Sequence, residues 1–146
     1  MARLDPLIKV RRHLVEEKQR VLADLYRQQE ALRAQKEQLL LELAREQALV
    51  DADMTNFEAR AWLTTYIAGV QKKSDLIDAA VQKLETRILI ATDDMRTAFA
   101  ELKKIEITDR ERKKREKKAI EDKSVQELDD IGIEAFARRQ QSETRE

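Results

Sequence analysis

LTTYIAGVQKKSDLIDAAVQKLETRILIATDDMRTAFAELKKI, residues 63–105, is the stretch that decides the fold. Steps of four and three from Leu63 land on Leu63, Ile67, Val70, Ser74, Ile77, Val81, Leu84, Ile88, Ala91, Met95, Ala98, Leu102 and Ile105, and every one except Ser74 is apolar. A 3.5-residue spacing kept up over this length lays one narrow apolar stripe along a helix, the seam of a left-handed coiled coil. A helix packed into a globular core would be shorter and carry a wider stripe.

Toward the N-terminus the pattern is less regular. Steps of three and four from Leu4 meet Leu4, Leu7, Arg11, Leu14, Lys18, Val21, Leu25, Gln28, Leu32, Gln35 and Leu39, with four polar interruptions. A competing row, Val10, Val21, Leu32 and Leu43, recurs every eleven residues and suits a straighter path. Both rows remain open at this stage. Asp5-Pro6 predicts a helix start, with Asp5 as N-cap and Pro6 at the first helical position. Between the two arms, residues 51–58 (DADMTNFE) collect small and capping residues, and Thr55-x-x-Glu58 has the capping-box spacing. These signals predict a first helix over 4–51, a turn over 52–57 and a second helix pairing with the first over 58–105. A fold-back near residues 54 and 55 sets Leu4 opposite Ile105 and Leu7 opposite Leu102, so the seam ends where the first arm runs out. The expected fold is all-α: a long antiparallel two-helix coiled-coil hairpin, about 70 Å long at helical rise, followed by a charged C-terminal helical extension over 106–146.

Composition agrees with a single coiled-coil chain. Two Gly, one Pro and 4% aromatic residues cannot furnish the turns and pleated faces of a β-rich fold. A charged fraction of 40% is that of a long helix. Absence of Cys excludes disulfides and thiolate sites and favours the cytoplasm. No apolar run approaches the roughly 20 residues of a membrane span, and the N-terminal stretch lacks the apolar segment of a signal peptide. The zero net charge conceals two opposed patches. Residues 110–118 hold Arg110, Arg112, Lys113, Lys114, Arg115, Lys117 and Lys118 against Glu111 and Glu116. Residues 121–134 reverse the sign with Glu121, Asp122, Glu127, Asp129, Asp130 and Glu134. Leu128, Ile131, Ile133 and Phe136 cluster around Gly132, and a polar tail expected to fray begins at Ala137.

Little in the chain points to catalysis. There is no Gly-rich phosphate loop, and His13 has no partner at ligand spacing, so no catalytic residue, metal site or cofactor is expected. Trp62 and Tyr66 share a helical face beside the turn, with Phe57 nearby. Those rings either close the end of the seam or form a docking surface for a partner. The basic run fits a solvated helix or a protein-binding electrostatic surface better than a nucleic-acid site, because no aromatic residue lies nearby for stacking and acidic residues follow at once.

Leu4-Asp5-Pro6-Leu7-Ile8 leads into Val10-Arg11-Arg12, Trp62 and Tyr66 stand early in the second helix, and Leu102-Lys103-Lys104 precedes a charged run. In this order these features resemble the FliJ family of the flagellar type III export apparatus. Glu127-Leu128-Asp129-Asp130-Ile131 followed by Ala137-Arg138-Arg139 is similar to the family's short acidic-apolar C-terminal motif, with Asp130 where Glu is usual. The resemblance implies a cytoplasmic, non-enzymatic, stalk-like coiled coil, peripheral at the inner membrane through its partners alone. Those partners would be the hexameric export ATPase, the cytoplasmic domain of the export gate and the export chaperones, with no nucleic acid. On this reading Trp62 and Tyr66 face the gate, while Arg110, Arg112, Lys113, Lys114, Arg115, Lys117, Lys118, Leu128, Asp129, Asp130 and Ile131 face the ATPase. The rival readings are a generic coiled-coil scaffold or chaperone, possibly a parallel dimer, and a helix that binds an anionic polymer.

The seam carries a direct test. Leu84→Asp should cost about 3 kcal/mol or more by placing an unpaired charge among apolar neighbours, whereas Lys83→Asp should change stability by about 0.5 kcal/mol or less. Equal shifts in Tm for the two variants would contradict the assigned seam.

Overall fold

The computed structural model describes residues 4–53 and 55–144, which are α-helical apart from Leu4 and the short connection between the helices. Helix α1 runs Asp5–Ala52 and helix α2 runs Phe57–Thr144. The two helices pack against each other, as in a helical hairpin. The chain divides into two compact units, Arg12–Phe99 and the pair Met1–Arg11 with Ala100–Glu146.

In the Arg12–Phe99 unit, the α2 stripe turns inward. Val70, Ser74, Ile77, Leu84, Ile88, Ala91 and Ala98 are buried, and Leu63, Val81 and Met95 are half-buried. Ile67, 37% exposed, is the most open position of the row. On α1 the inward row is Val15, Lys18, Leu22, Leu25, Gln29, Leu32, Lys36, Leu39, Leu43, Glu46 and Val50, each buried or half-buried. That is again a strict alternation of three and four, but it differs from the expected row at every second position. Leu25, Leu32 and Leu39 point inward as expected, whereas Val21, Gln28 and Gln35 are exposed and their neighbours Leu22, Gln29 and Lys36 take the inward places. The eleven-residue row fails too, because Val10 and Val21 are 63% and 50% exposed. The physical reason lies in the doublets Leu7-Ile8, Leu14-Val15 and Val21-Leu22. Both members of each are apolar, so hydrophobicity alone cannot choose between them.

The facing of the helices is displaced accordingly. Lys36 Nζ donates to Asp78 Oδ1 at 2.7 Å. Gln28, Ala31 and Leu32 line a groove with Ala80, Lys83, Leu84 and Arg87, and Tyr26 and Gln29 line another with Glu85, Ile88 and Leu89. The expected fold-back places Lys36 opposite Lys73, yet it pairs with Asp78, more than one turn further along α2.

In the second unit Ile8 and Leu102 are buried, with Leu4, Arg11 and Ile105 half-buried. Leu7 is 40% exposed, so here also the later member of the doublet faces inward. The row continues past Ile105 through Asp109, which is buried, to Arg112 and Glu116, which are half-buried. The C-terminal segment is helical past Ala137, with α2 continuing to Thr144.

The helix ends differ in detail from the sequence reading. Ile8 N–H donates to the Leu4 carbonyl at 2.9 Å, so Leu4 occupies the cap position and Asp5 and Pro6 the first two helical places. Proline is tolerated there because its missing N–H would have had no intrahelical partner. At the start of α2 the side chain of Asn56, not Thr55, accepts a backbone donor, the N–H of Ala59 at 3.1 Å. Thr55 Oγ1 turns back to Asp53 Oδ1 at 2.8 Å, so the Thr55–Glu58 capping box does not form. Met54, within the expected turn, lies outside the described residues. The connection needs no glycine: Asp53 N–H bonds to the Val50 carbonyl at 3.1 Å, tightening the last turn of α1, and the described residues contain no positive φ.

Asn56→Ala should therefore lower stability by about 1 kcal/mol through loss of the cap, while Thr55→Ala should cost only a few tenths. Denaturant midpoints of the two variants check the assignment.

Candidate functional site

The residues singled out by sequence fall into three local settings. Beside the turn, Trp62 and Tyr66 stack with ring centroids 5.1 Å apart and planes 15° apart. One helical turn separates them on α2, which brings the rings into register. Tyr66 is half-buried and Trp62 is 49% exposed, so the pair presents one aromatic face to solvent. Phe57 takes no part in closing the seam, being 85% exposed. Val50 and Leu63, not the three rings, are the row positions nearest the turn.

The basic run lies on α2 in the unit of Met1–Arg11 and Ala100–Glu146. Arg110, Lys114, Arg115, Lys117 and Lys118 are exposed. Arg112 is drawn partly inward and pairs with Glu116 at 3.6 Å. Lys113 bridges the two helices: its Nζ lies 3.0 Å from Asp109 Oδ2 on its own helix and 3.4 Å from Asp5 Oδ1 on α1. Asp109 is 7% exposed, and its Oδ1 has no hydrogen-bond partner. A carboxylate in an inward place holds the row together only through a cation that reaches it, and Lys113 fills that need one turn on. The Asp109 side chain, through its hydrogen bond and charge, raises the Lys113 pKa above its ordinary value of 10.5, and Asp5 adds to the effect. The spacing of Asp109 and Lys113 carried a readable signal, an i,i+4 acid–base pair, but an apolar-row search passes over it.

Further along α2, Leu128 and Ile131 are 68% and 61% exposed, with Asp129 and Asp130 exposed beside them. His13 is exposed on α1, with Nδ1 3.6 Å from Glu16. Among the described residues no cluster of His, Cys, Asp or Glu could hold a metal ion, and no helix is long and apolar enough to cross a membrane. The concavities of the Arg12–Phe99 unit are open grooves along the helix pair, lined by side chains such as Arg33, Glu37 and Leu40 or Gln28 and Arg87.

No family model, curated protein or solved structure matches this chain.

The Lys113 bridge has a pH signature. A lysine whose pKa is raised on folding stabilises the fold fully below its unfolded value near 10.5, and that contribution is lost as pH rises through the higher folded value. Lys113→Met should thus be less stable than the native chain below pH 10.5 and converge with it at higher pH, as read from denaturant midpoints across that range.

Proposed function

We propose that this chain is a non-enzymatic, FliJ-like component of the flagellar type III protein export apparatus, an antiparallel two-helix coiled coil with a charged helical extension. It would engage and stimulate the hexameric export ATPase and contact the export gate and export chaperones at the cytoplasmic face of the inner membrane. The observation that carries the reading is a helix pair with a single narrow inward row and two chemically distinct surfaces, a stacked Trp62–Tyr66 face beside the turn and a charged segment after Asp109.

Each part of that arrangement has a use in a stalk. A two-helix pair exposes charged flanks that make many weak, salt-screened contacts, which suits a shaft repositioned within a ring. The basic and acidic segments of α2 offer a ring-facing end in this reading. Trp62 and Tyr66 supply rigid apolar area with polar edges, the chemistry that anchors protein interfaces, and so suit the gate. The exposed cations of residues 110–118 act on protein carboxylates here, since the intervening Glu111 and Glu116 weaken any attraction to phosphate.

Co-purification with a candidate export ATPase tests the proposal. The full chain should bind the ATPase and raise its specific activity or hexamer fraction, and deletion of residues 110–140 should abolish binding. Retained binding after that deletion would overturn the assignment of the ATPase-facing end, and no effect of the full chain on a competent ATPase would overturn the function.

A further inference from the structure

The acidic end of α2 carries an apolar face with no cover. Between residues 120 and 136 the helical period brings Ile120, Val125, Leu128, Ile131 and Phe136 to one side, each between 57% and 68% exposed, with Glu121 the one acidic residue among them. The same period sets Asp122 and Asp129 along one edge of that face and Glu127 and Glu134 along the other. Glu134 pairs with Arg138 at 3.3 Å, whereas Asp122, Glu127 and Asp129 form no ion pair among the described residues.

A surface of opposite character lies on the Arg12–Phe99 unit. Ala31 and Ala80 are small, so the groove between the helices stays open above Leu32 and Leu84. Lys83 and Arg87 line it, exposed and without an ion pair among the described residues. Leu76 and Ile90, 67% and 58% exposed, extend its apolar surface along α2.

We propose that the chain self-associates by seating residues 120–136 of one copy in the Ala31/Ala80 groove of a second copy. Leu128 and Ile131 enter the notch that the two alanines leave, and the edge of Glu127 and Glu134 meets Lys83 and Arg87. This occupant satisfies both surfaces at once. Two copies of the acidic face laid on each other would set carboxylate against carboxylate, and the basic run 110–118 offers no apolar side chain to cover it. A single helical face of this length buries area at the low end for specific complexes, so the association is weak, micromolar and salt-dependent. The inference stands apart from the export reading.

Sedimentation velocity of the full chain at low salt, across the micromolar range, tests it. The weight-average mass should rise with concentration and fall back on adding salt. Two charge-reversed variants, Lys83→Glu with Arg87→Glu and Glu127→Lys with Glu134→Lys, should each associate at least about tenfold more weakly than the native chain, and an equimolar mixture of the two should recover association. All four positions are exposed, so circular dichroism should show unchanged helicity. A monomer mass at every concentration would overturn the proposal, as would association that both variants retain or that the mixture fails to recover.

Discussion

Every feature of this chain depends on covering one apolar row. On α2 that row is almost free of polar side chains, and a helix left with such a stripe in water would lose the free energy of burying it. Cover must come from a second helix with the same alternation of three and four, because any other spacing drifts off the stripe within a few turns. The α1 row has that spacing, although its chemistry is mixed. At Lys18, Lys36 and Glu46 the row holds half-buried charged side chains, and Lys36 pairs across the helices with Asp78. Spacing, rather than apolar content, is what α1 supplies at these places.

The same constraint explains why burial is broad and shallow. Two helices enclose a single line of side chains between them, and the best-covered residue, Val70, retains 4% exposure. Each residue of the row can shed most of its apolar area, yet none is surrounded on all sides. Exposed apolar residues such as Leu76, Leu89 and Ile90 follow from that geometry, since the helix pair has more outer surface than its charged side chains can cover.

How far the sequence could be read tracks how often it offered a choice. The α2 row was legible because its alternation of three and four runs unbroken from Leu63 to Ile105 with Ser74 the one polar residue, whereas neighbours such as Leu76 and Leu89 build no row of comparable length. The α1 row was half legible: Leu25, Leu32 and Leu39 lie on the three-and-four path and face inward, but at Leu7-Ile8, Leu14-Val15 and Val21-Leu22 both neighbours were apolar and the path took the wrong one. Only the partner helix distinguishes them, and in the two units Ile8 and Val15 proved to be the buried members. The end of the row was misread for a different reason. Asp109 continues the spacing past Ile105 though not the polarity, and what the spacing could not show is its burial beside Lys113. At the turn, Thr55 and Asn56 are both good caps by composition, and the hydrogen bond to Ala59 separates them. The stacked Trp62–Tyr66 pair was legible from spacing alone, while the exposure of Phe57 was not.

The uneven chemistry of the two rows also bears on how the chain is made. During synthesis α1 emerges first and waits without its partner. With Lys18, Gln29, Lys36 and Glu46 spaced along its inward row, a waiting α1 is a poor template for other nascent copies, because no long apolar stripe is on offer. The sticky row of α2 follows only when its complement is already in hand and one short turn away. The order of the helices along the chain thereby keeps the more aggregation-prone surface exposed for the shortest time.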